Sequence, residues 1–416
     1  MRVLVTGGSG VVGTSTVTAL LQRGHSVVLL SRHAGKDARQ WPHGVTAHDG
    51  DVADPRTLLG AADGCDAVLH LVAVVDEEGP NATFDRVNVE GTRNVVREAE
   101  RAGVARFVYV SSLGADDGKS GYHQSKRKGE AIVRDFHGDW LVVRPGNVYG
   151  PGDEQISIML RMIRTLPVVP LIGDGSQRFQ PLWHEDAAEA LAIAVERGEL
   201  VHKALDLAGP EVTTQRALAE KLVAITGRDV KLADVPEVVT SLGIKALGFL
   251  GVDVPFSDSQ MQMLDEGNVI PNGSENALTA VFGITGLRLE EGLRKLADAQ
   301  PEQVPGDGVG SLRRKRYWGE VRNSSMTPAT VIEHLRENFP FLTPDYVDTA
   351  AEPGAPRRVD LGQTLTLSLP LRGNMQVRVV EVDAGKITML TLTGHPLAGA
   401  VRFLAEDRGP AVRFEV

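Results

Sequence analysis

Two serines, a tyrosine and a lysine lie close together in the sequence and could carry acid–base chemistry. Tyr122 and Lys126 are four residues apart, so on a helix they share one face and the ammonium can lie near the phenol. A cation in that place stabilises the phenolate and lowers a tyrosine pKa that is otherwise about 10, which allows proton transfer near neutral pH. Ser111 and Ser112 follow an apolar run at 107–110, where a hydroxyl at a strand end can hydrogen-bond the oxygen of a carbonyl or alcohol.

A glycine cluster follows the first apolar run of the chain. Residues 2–6 predict a strand, and the spacing from Val12 to Gln22 predicts a helix, with a tight turn between them. The glycines of the turn are Gly7, Gly8, Gly10 and Gly13. The first two allow a sharp turn, the third allows backbone to approach a pyrophosphate, and the fourth allows the helix to pack closely on the strand. Because a helix N-terminus attracts phosphates, the pattern predicts a dinucleotide site; a glycine-rich turn without a ligand is the alternative.

The residues after the second and third predicted strands bear on the choice of cofactor. Enzymes that prefer NAD usually place an acid after the second strand, whereas this chain has Arg32. A guanidinium suits a 2′-phosphate, so the sequence favours NADP over NAD; a solvated surface arginine, with NAD as cofactor, is the alternative. Asp51 follows the third strand, where it can accept a hydrogen bond from the adenine amino group or cap a helix that begins at Pro55.

The first 150 residues alternate predicted strands and helices in the manner of a parallel sheet. The predicted strands cover 2–6, 26–30, 45–48, 67–71, 106–110 and 140–143. The predicted helices between them cover 55–62, 83–102 and 121–137. This order predicts an α/β fold, a Rossmann doubly wound parallel sheet.

These motifs resemble the short-chain dehydrogenase/reductase superfamily in its extended or atypical branch. The matching residues are 6–13, 51–52, 111–112, Tyr122 with Lys126, and 144–152. The resemblance implies that Tyr122 is the acid/base, that Lys126 also binds the nicotinamide ribose, and that Ser112, with Ser111 second, orients the substrate oxygen. Asn88 occupies the position of a helix residue that supports the site in this family.

The resemblance also implies a cofactor wall. It implies that Leu71 and Ala73 line the cofactor, and that backbone around Pro145 and Val148 meets the nicotinamide. The other expected cofactor residues are Gly7, Gly8, Ser9, Gly10, Val11, Val12, Gly13, Arg32, Asp51 and Val52. Residues 166–190 and 259–284 look most like atypical members related to the complex I accessory subunit, several of which bind NADPH without known turnover.

The substrate side is expected in residues 150–300, with Asn147 beside it as a substrate residue. Residues 173–180 resemble the segment that carries a diphosphate-binding arginine in nucleotide-sugar epimerases, which makes Arg178 a further substrate residue. An acid usually follows that arginine closely, whereas here Phe179 and Gln180 follow, so a surface arginine is the alternative. Residues 184–186 could suggest a metal cluster, but adjacent side chains cannot easily reach one ion, so a capped helix start is predicted and no metal site.

Composition limits the class of protein. With 54 acidic and 44 basic residues the net charge is −10, which argues against a nucleic-acid partner. The single cysteine, Cys65, permits no internal disulfide and fits a reducing compartment. No apolar run is long enough to cross a bilayer, and the strand predicted at residues 2–6 leaves no place for a signal peptide, so the cytoplasm is expected.

A second domain is predicted after residue 300. Residues 301–310 read as a linker between a domain at 1–300 and an α+β domain at 311–416, which has a helix at 327–339 and several strands. Residues 394–399 resemble a loop of the helix-grip family of hydrophobic-ligand-binding domains. Such domains normally end in a long helix, whereas this chain ends in a predicted strand, so a truncated domain is one interpretation. The basic and aromatic run 313–318 leaves a peripheral membrane or lipid contact open beside a solvated strand edge.

The function expected from these patterns is hydride transfer between an NADP cofactor and a small molecule with a carbonyl or secondary alcohol. Epimerisation of a nucleotide sugar through a transient ketone would use the same residues. A third interpretation is a non-catalytic NADPH-binding sensor or assembly factor. The sequence predicts neither the substrate nor the oligomeric state.

Overall fold

The computed structural model describes most of the chain as two compact units. The described residues are 1–41, 43–77, 79–153, 155–165, 168–228, 230–235, 268–299, 315–322, 325–343, 348–351, 358–369, 373–392 and 399–416. The first unit comprises 1–157, 172–218 and 235–296, and the second comprises 158–171, 219–234 and 297–416. The predicted linker at 301–310 and most of the loop at 394–399 lie outside the described residues, so the predicted domain boundaries stay a prediction.

The first unit is built on a seven-stranded parallel sheet. In spatial order its strands are β11 (Lys203–Leu207), β6 (Asp139–Pro145), β5 (Arg106–Val110), β4 (Ala67–His70), β1 (Arg2–Thr6), β2 (Ser26–Ser31) and β3 (Val45–Asp49). The order reverses between β1 and β4, as in a doubly wound Rossmann sheet, and the predicted fold class is confirmed. Six of these strands were expected from apolar runs, and β11 was not.

Side chains alternate between two apolar layers, which explains why the strands read as continuous apolar runs. Val3 and Val5 pack on one face of the sheet with Leu29, whereas Leu4 packs on the other face with Phe107. All five are at most 1% exposed. Burial of both faces leaves the strand ends as the place where polar side chains can gather.

The α-helices of the described residues include four that lie within or close to the predicted ranges 12–22, 83–102, 121–137 and 327–339, and others for which the sequence predicted no range. They are α1 (Val11–Gln22), α2 (Ala34–Asp37), α3 (Gly91–Arg101), α4 (Gly121–Arg134), α5 (Ile156–Thr165), α6 (His184–Glu196), α7 (Gln215–Thr226), α8 (Ala277–Ala280), α9 (Leu289–Ala299) and α10 (Pro328–Leu342). Short 3-10 turns cover Ala38–Gln40, Pro55–Thr57 and Leu113–Ala115, and a π-helix covers Phe84–Glu90. Three two-stranded pairs join β7 (Val148–Tyr149) to β10 (Leu182–Trp183), β9 (Arg178–Phe179) to β12 (Thr213–Thr214), and β8 (Val168–Ile172) to β13 (Lys231–Val235).

The predicted helix at 55–62 is wrong, because only one 3-10 turn forms there. Gly60 has a φ of +85°, which a helix does not accept. One carboxylate oxygen of Glu98 accepts hydrogen bonds from the backbone N–H groups of Gly60 and Ala62, at 2.9 and 3.3 Å, in place of helical carbonyls. The cap of the 3-10 turn is Asp54, which accepts from Arg56 N, so the alternative role of Asp51 as a helix cap is also wrong.

The second unit contains a seven-stranded antiparallel sheet. Its order is β14 (Trp318–Arg322), β20 (Ala411–Glu415), β19 (Ala400–Asp407), β18 (Lys386–Thr391), β17 (Gly373–Val382), β16 (Thr364–Leu369) and β15 (Asp348–Ala351). Helix α10 starts with a capping box between Thr327 and Thr330. Its residues Ile332, Leu335 and Phe339 join the apolar core of the sheet. The expected α+β class with an antiparallel sheet is confirmed.

Candidate active site

The glycine turn after β1 has the shape that a bound phosphate group requires. Gly7 has a φ of +73°, and a Cβ on Gly13 would lie 2.1 Å from the Gly7 carbonyl oxygen, so α1 packs against the turn only without a side chain there. A Cβ on Gly10 would meet nothing closer than 3.6 Å, so its outer side is open. No side chain caps the N-terminus of α1, which leaves the first-turn N–H groups free for an anion. The turn therefore fits the diphosphate of a dinucleotide.

A cleft of about 800 Å³ opens above this turn, beside the carboxyl ends of the parallel strands. It brings together fifteen of the residues that the sequence singles out: Gly7, Ser9, Gly10, Val11, Val12, Gly13, Leu71, Ala73, Ser111, Ser112, Tyr122, Lys126, Pro145, Asn147 and Val148. The parallel direction of the strands explains the gathering, because the segments that follow β1, β4, β5 and β6 all meet at one edge of the sheet.

Five of the expected site residues do not line this cleft: Gly8, Arg32, Asp51, Val52 and Arg178. Gly8 lies under the turn, where a Cβ would meet Leu29 at 2.5 Å, and Val52 belongs to the apolar core. Arg32 and Arg178 are exposed. Asp51 accepts a hydrogen bond from Ala53 N at 2.9 Å. Their expected binding roles stay predictions.

Helix α4 is joined to the end of β5 by three side chains spaced four residues apart. The Tyr122 hydroxyl and the Ser112 side chain share a hydrogen bond. Lys126 Nζ donates to the carbonyl oxygen of Val110 at 2.7 Å, and Ser111 Oγ donates to Glu130 Oε1 at 2.6 Å. Spacing of four residues places all three on one helix face, as the sequence predicts for the first two.

The predicted lowering of the Tyr122 pKa is wrong. Burial raises the pKa of Tyr122 to about 12, and the hydrogen bond with Ser112 acts in the opposite direction. The Lys126 ammonium contacts the Val110 carbonyl and lies 4.5 Å from the centre of the Tyr109 ring. Burial lowers the pKa of Lys126 to about 7, and the charge of Glu130 opposes this. The phenol is therefore protonated at neutral pH.

Asn88 ties the segment after β4 to helix α4, as its expected supporting position implies. Its Nδ2 donates to Ser125 Oγ at 2.9 Å and to the Val74 carbonyl at 2.9 Å, and its Oδ1 accepts from Val74 N at 2.8 Å. Asn88 is fully buried and lies in the π-helix Phe84–Glu90. The Phe84 ring of that helix packs edge-on against Tyr122, with 6.4 Å between the ring centres.

Known proteins match the unit that carries this cleft. The model of the NAD dependent epimerase/dehydratase family matches residues 3–206. The 2-alkyl-3-oxoalkanoate reductase of Stenotrophomonas maltophilia is 30% identical over 55% of this chain and 76% of the relative. The chain belongs to the NAD dependent epimerase/dehydratase family. The resemblance to short-chain dehydrogenases is thereby confirmed: the protein is an enzyme, an NAD(P)-dependent oxidoreductase of this type.

Two further proteins are similar to this chain. The ceramide reductase of Caulobacter vibrioides is 35% identical over 45% of this chain and 59% of that protein. The NADPH-dependent quinone oxidoreductase QOR2 of Escherichia coli, solved with NADPH, superposes with a TM-score of 0.57 at 22% identity, over 70% of this chain and 98% of that one. The description of the family names NAD, so a nicotinamide cofactor is assigned to this chain. The preference for NADP over NAD stays a prediction. The likeness of residues 311–416 to helix-grip domains stays a prediction.

Several cleft residues of this family member have no signal in the local sequence. His184 shares a hydrogen bond of 2.6 Å with Ser15 of α1, although 169 positions separate them. Asn268 and Gln155 also line the cleft. Only the pairing of distant segments places these residues, so no motif in the sequence could have found them. His123, which directly follows Tyr122, also lines the cleft. The sequence did not indicate that this histidine is buried.

The acidic run at 184–186 does not form a metal cluster. Glu185 accepts from Trp183 Nε1 at 3.0 Å and Asp186 accepts from Leu287 N at 2.7 Å, so these side chains point to separate partners. Within the described residues no group of histidine, cysteine and acidic side chains could hold a metal ion. Helix α6 does begin at His184, but no side chain caps it, so the predicted cap is wrong. In the described ranges no helix is both long and apolar enough to span a bilayer.

Proposed function

We propose that this enzyme is an NADP-dependent reductase or dehydrogenase of a small molecule with a carbonyl or secondary alcohol. The hydrogen bond between Tyr122 and Ser112 carries the proposal, because it brings a proton donor and an orienting hydroxyl together at the wall of the cleft. In this proposal Tyr122 is the acid/base, Ser112 orients the substrate oxygen, and Lys126 binds the nicotinamide ribose.

The chain's own groups divide the work of moving the proton. A phenol whose pKa is about 12 keeps its proton at neutral pH and can donate it to an oxygen on which negative charge develops. Ser112 can donate a second hydrogen bond to the same oxygen, which stabilises that charge. When bound, the nicotinamide cofactor supplies or accepts the hydride. Ser111 faces Glu130 and not the tyrosine, which supports Ser112 as the residue that contacts substrate.

The cofactor wall is proposed from the donor set around the glycine turn. Ser9, Val11 and Val12 present backbone N–H groups and a hydroxyl to a diphosphate, Gly10 leaves room for its approach, and Gly13 keeps α1 close. The apolar side chains of Leu71 and Ala73, with backbone at Pro145 and Val148, form the remaining cofactor surface in the cleft. These roles follow the family pattern and the observed lining.

The preference for NADP rests on Arg32. Its side chain is exposed beyond β2 and makes no hydrogen bond or ion pair with any described residue. A free guanidinium suits the 2′-phosphate of NADP, which carries about two negative charges where NAD has a neutral hydroxyl. No acid takes that place directly after β2, where an NAD enzyme usually has one.

The substrate is proposed to be an aliphatic carbonyl compound, in keeping with relatives named as reductases of a 2-alkyl-3-oxoalkanoate and of a ceramide. Arg178, expected to hold the diphosphate of a nucleotide sugar, is exposed and lies outside the cleft-lining residues. Asn147 lines the cleft, and its Oδ1 is buried without a hydrogen-bond partner, as is Asn268 Oδ1. We assign these two amides to polar groups of the substrate beside its reacting carbon.

A titration with NADPH and NADH, followed by fluorescence, tests the cofactor assignment. We expect tighter binding of NADPH, and about tenfold weaker NADPH binding with unchanged NADH binding in Arg32→Ala, because one charged contact is lost. Lys36→Ala serves as the matched control for a loss of positive charge. Binding of neither cofactor would overturn the proposal.

A substrate panel then tests the reaction. Oxidation of NADPH is measured with a 2-alkyl-3-oxoalkanoate, a quinone and a simple aliphatic ketone, and interconversion of UDP-glucose is measured separately. Turnover of the oxoalkanoate supports the proposal. Interconversion of the nucleotide sugar without net NADPH oxidation would instead establish the epimerase. NADPH binding with no turnover in either assay would favour a sensor.

A further inference from the structure

We infer that the chain forms a two-fold dimer in which strand β14 (Trp318–Arg322) pairs antiparallel with β14 of a second copy, with Trp318 opposite Trp318. The inference concerns the second unit and is independent of the proposed function. In the described sheet β14 is the terminal strand and is hydrogen-bonded to β20 alone. Its other edge is the surface on which the second copy pairs.

The backbone of β14 presents a row of hydrogen-bonding groups at this edge. Tyr317 N donates to the Val416 carbonyl at 3.0 Å, and Val416 N donates to the Tyr317 carbonyl at 2.8 Å. Bonding direction alternates along an antiparallel strand, so the N–H and C=O groups of Trp318 and Glu320 point away from β20. Such a row is a template for one more strand.

Both faces of β14 are exposed. Each residue of 315–322 is exposed, and the large side chains Tyr317, Trp318 and Val321 are 66%, 60% and 49% exposed. Helix α10 packs against β19 and β15 of the same sheet. Unpaired edges are usually blunted by proline, by a bulge or by being very short, whereas β14 contains no proline and keeps a regular register with β20 over five residues.

The charges beside this edge favour a second copy in one register. A two-fold axis at Trp318 pairs residues 315–321 of the two copies, and an axis at Gly319 pairs 316–322; other positions pair fewer of the described residues. The axis at Gly319 sets Arg316 opposite Arg322, and like charges in that relation destabilise a sheet. The axis at Trp318 instead sets Arg316 of each copy opposite Glu320 of the other.

A row of alternating charge crosses the junction in this register. Within one chain Glu320 lies opposite Arg413 on β20 and accepts from Arg322 Nη2 at 3.3 Å. Arg316 Nε donates to Glu415 Oε1 at 2.6 Å. With Arg316 of the second copy beside Glu320, arginine and carboxylate alternate across the junction, and the axis repeats the row. Exposed ion pairs stabilise little, so these charges select the register and backbone bonds hold the dimer.

Aromatic side chains gain contacts in the same register. Gly319 has no atom within 4 Å of the place where a Cβ would lie. Tyr317 of the second copy lies opposite this glycine, so its ring can cover the bare backbone, with Val321 diagonal to it on the same face. On the other face the two Trp318 side chains meet at the axis, each with the Arg413 guanidinium of its own chain 4.5 Å from the ring centre.

The first test is the molar mass of the full chain, measured by light scattering after gel filtration over a series of concentrations. We expect twice the mass of one chain in the native protein. Glu320→Pro removes an outward N–H group and a carboxylate from each copy and leaves the bonds to β20, since edge strands accept proline where the N–H faces outward. We expect its dimer dissociation constant to rise about a hundredfold, because two hydrogen bonds and two ion pairs are lost.

Glu320→Gln is the matched control for the backbone. It keeps the N–H group and loses only the charge, so we expect the dissociation constant to rise by about tenfold or less. Circular dichroism checks that each variant is folded. If Glu320→Pro does not fold, Glu320→Arg sets an arginine opposite Arg316 of the second copy, and we expect dissociation there too.

Cross-linking tests the register. Cys65 is the single cysteine and is buried, so a short bismaleimide reacts with an introduced surface thiol. The Cα atoms of residue 318 lie about 5.5 Å apart across the axis, whereas those of residue 322 lie about 27 Å apart along the strands. We expect a covalent dimer from Trp318→Cys and none from Arg322→Cys; the reaction traps even a transient dimer.

Three results would overturn the inference. The first is the mass of one chain at every concentration. The second is a folded Glu320→Pro, or a folded Glu320→Arg in its place, with the native dissociation constant. The third is equal cross-linking of Trp318→Cys and Arg322→Cys, which would mean that the copies meet through another surface or in another register.

Discussion

The two units of this enzyme each contain a seven-stranded sheet, and among the described residues the candidate catalytic side chains lie at the edge of the parallel one. In the parallel sheet every carboxyl end lies at one edge, so the residues after four different strands meet in a single cleft. In the antiparallel sheet neighbouring strands end at opposite edges, and consecutive strands pair directly, so turns alternate between the two edges. Strand direction thus decides where functional side chains can converge.

Buried charge follows the same division. In the first unit the buried residues include Lys126, Glu130, Arg144 and His70. Among the described residues of the second unit, buried polar groups are glutamines and threonines, with Arg228 as the charged exception. Removing charged groups from water is costly unless they are paired or neutralised. The buried charges of the site therefore lower the stability of the first unit, whereas the described part of the second unit buries one charged residue, Arg228.

The largest effect is expected from Tyr122→Phe. Removing the hydroxyl that donates the proton should lower kcat about a thousandfold, within the range for a lost general acid. NADPH affinity and the unfolding temperature should stay close to native values. Tyr317→Phe, at an exposed position in the second unit, is the matched control and should leave kcat unchanged. Equal activity of Tyr122→Phe and native enzyme would remove Tyr122 from the mechanism.

A core substitution in the second unit should affect stability and leave the cleft intact. Ile387 is fully buried in the core beneath α10, so Ile387→Ala should destabilise that unit by about 3 kcal/mol through lost burial and a cavity. Chemical denaturation followed by circular dichroism measures the loss, and an NADPH titration in parallel should give the native dissociation constant. A large loss of NADPH affinity would show that the division between the units is wrong.

Two glycine-to-alanine substitutions, one in each unit, should differ in their effects on stability and on NADPH binding. In Gly13→Ala the new methyl would meet the Gly7 carbonyl at 2.1 Å, so we expect a loss of about 2 kcal/mol in stability and weaker NADPH binding. In Gly319→Ala the methyl meets nothing within 4 Å, and we expect a change below about 0.5 kcal/mol. Thermal unfolding and NADPH titration are the measurements, and tolerance of Gly13→Ala would contradict the close packing of α1.

The smallest effect, taken for each pH unit, is expected from acidification, and it should begin in the first unit. Burial lowers the pKa of His70 to about 3 from its ordinary value of 6.5. Between these two pH values this histidine is protonated in the unfolded chain and neutral in the folded one, so the unfolded chain binds more protons. Stability therefore falls as the pH drops from 6.5 towards 3, by at most about 1.4 kcal/mol for each pH unit from this histidine. His70→Gln should flatten the slope in urea unfolding at a series of pH values, and an unchanged slope would exclude His70 as its source.

The sequence predicts the parallel sheet because its central strands are runs of β-branched and aliphatic residues. It misses β11, since Lys203 to Leu207 is mixed in polarity and only Leu207 is buried. The wrong helix at 55–62 has a tertiary cause, because the carboxylate of Glu98, a residue far along the chain, takes the N–H groups that a helix would use. Local propensity contains no information about such a partner.

The site shows the same limit. Spacing alone places Tyr122 and Lys126 on one face of α4, but it cannot state which groups they meet. The pKa of Tyr122 is raised where a lowered value was predicted, because burial outweighs any effect of the lysine, which points to Val110. His184 and Asn268 enter the cleft through segments that no local pattern connects to it.

The π-helix that carries Asn88 constrains the length of the chain as well as its residue types. A π turn holds one residue more than the α turn it replaces, so it is equivalent to a single insertion into a helix. Deleting one residue between Phe84 and Asn88 would let the segment relax to an α-helix and rotate the asparagine by about 100°, away from Ser125 and Val74. Scanning substitutions cannot reveal this requirement, whereas a one-residue deletion would.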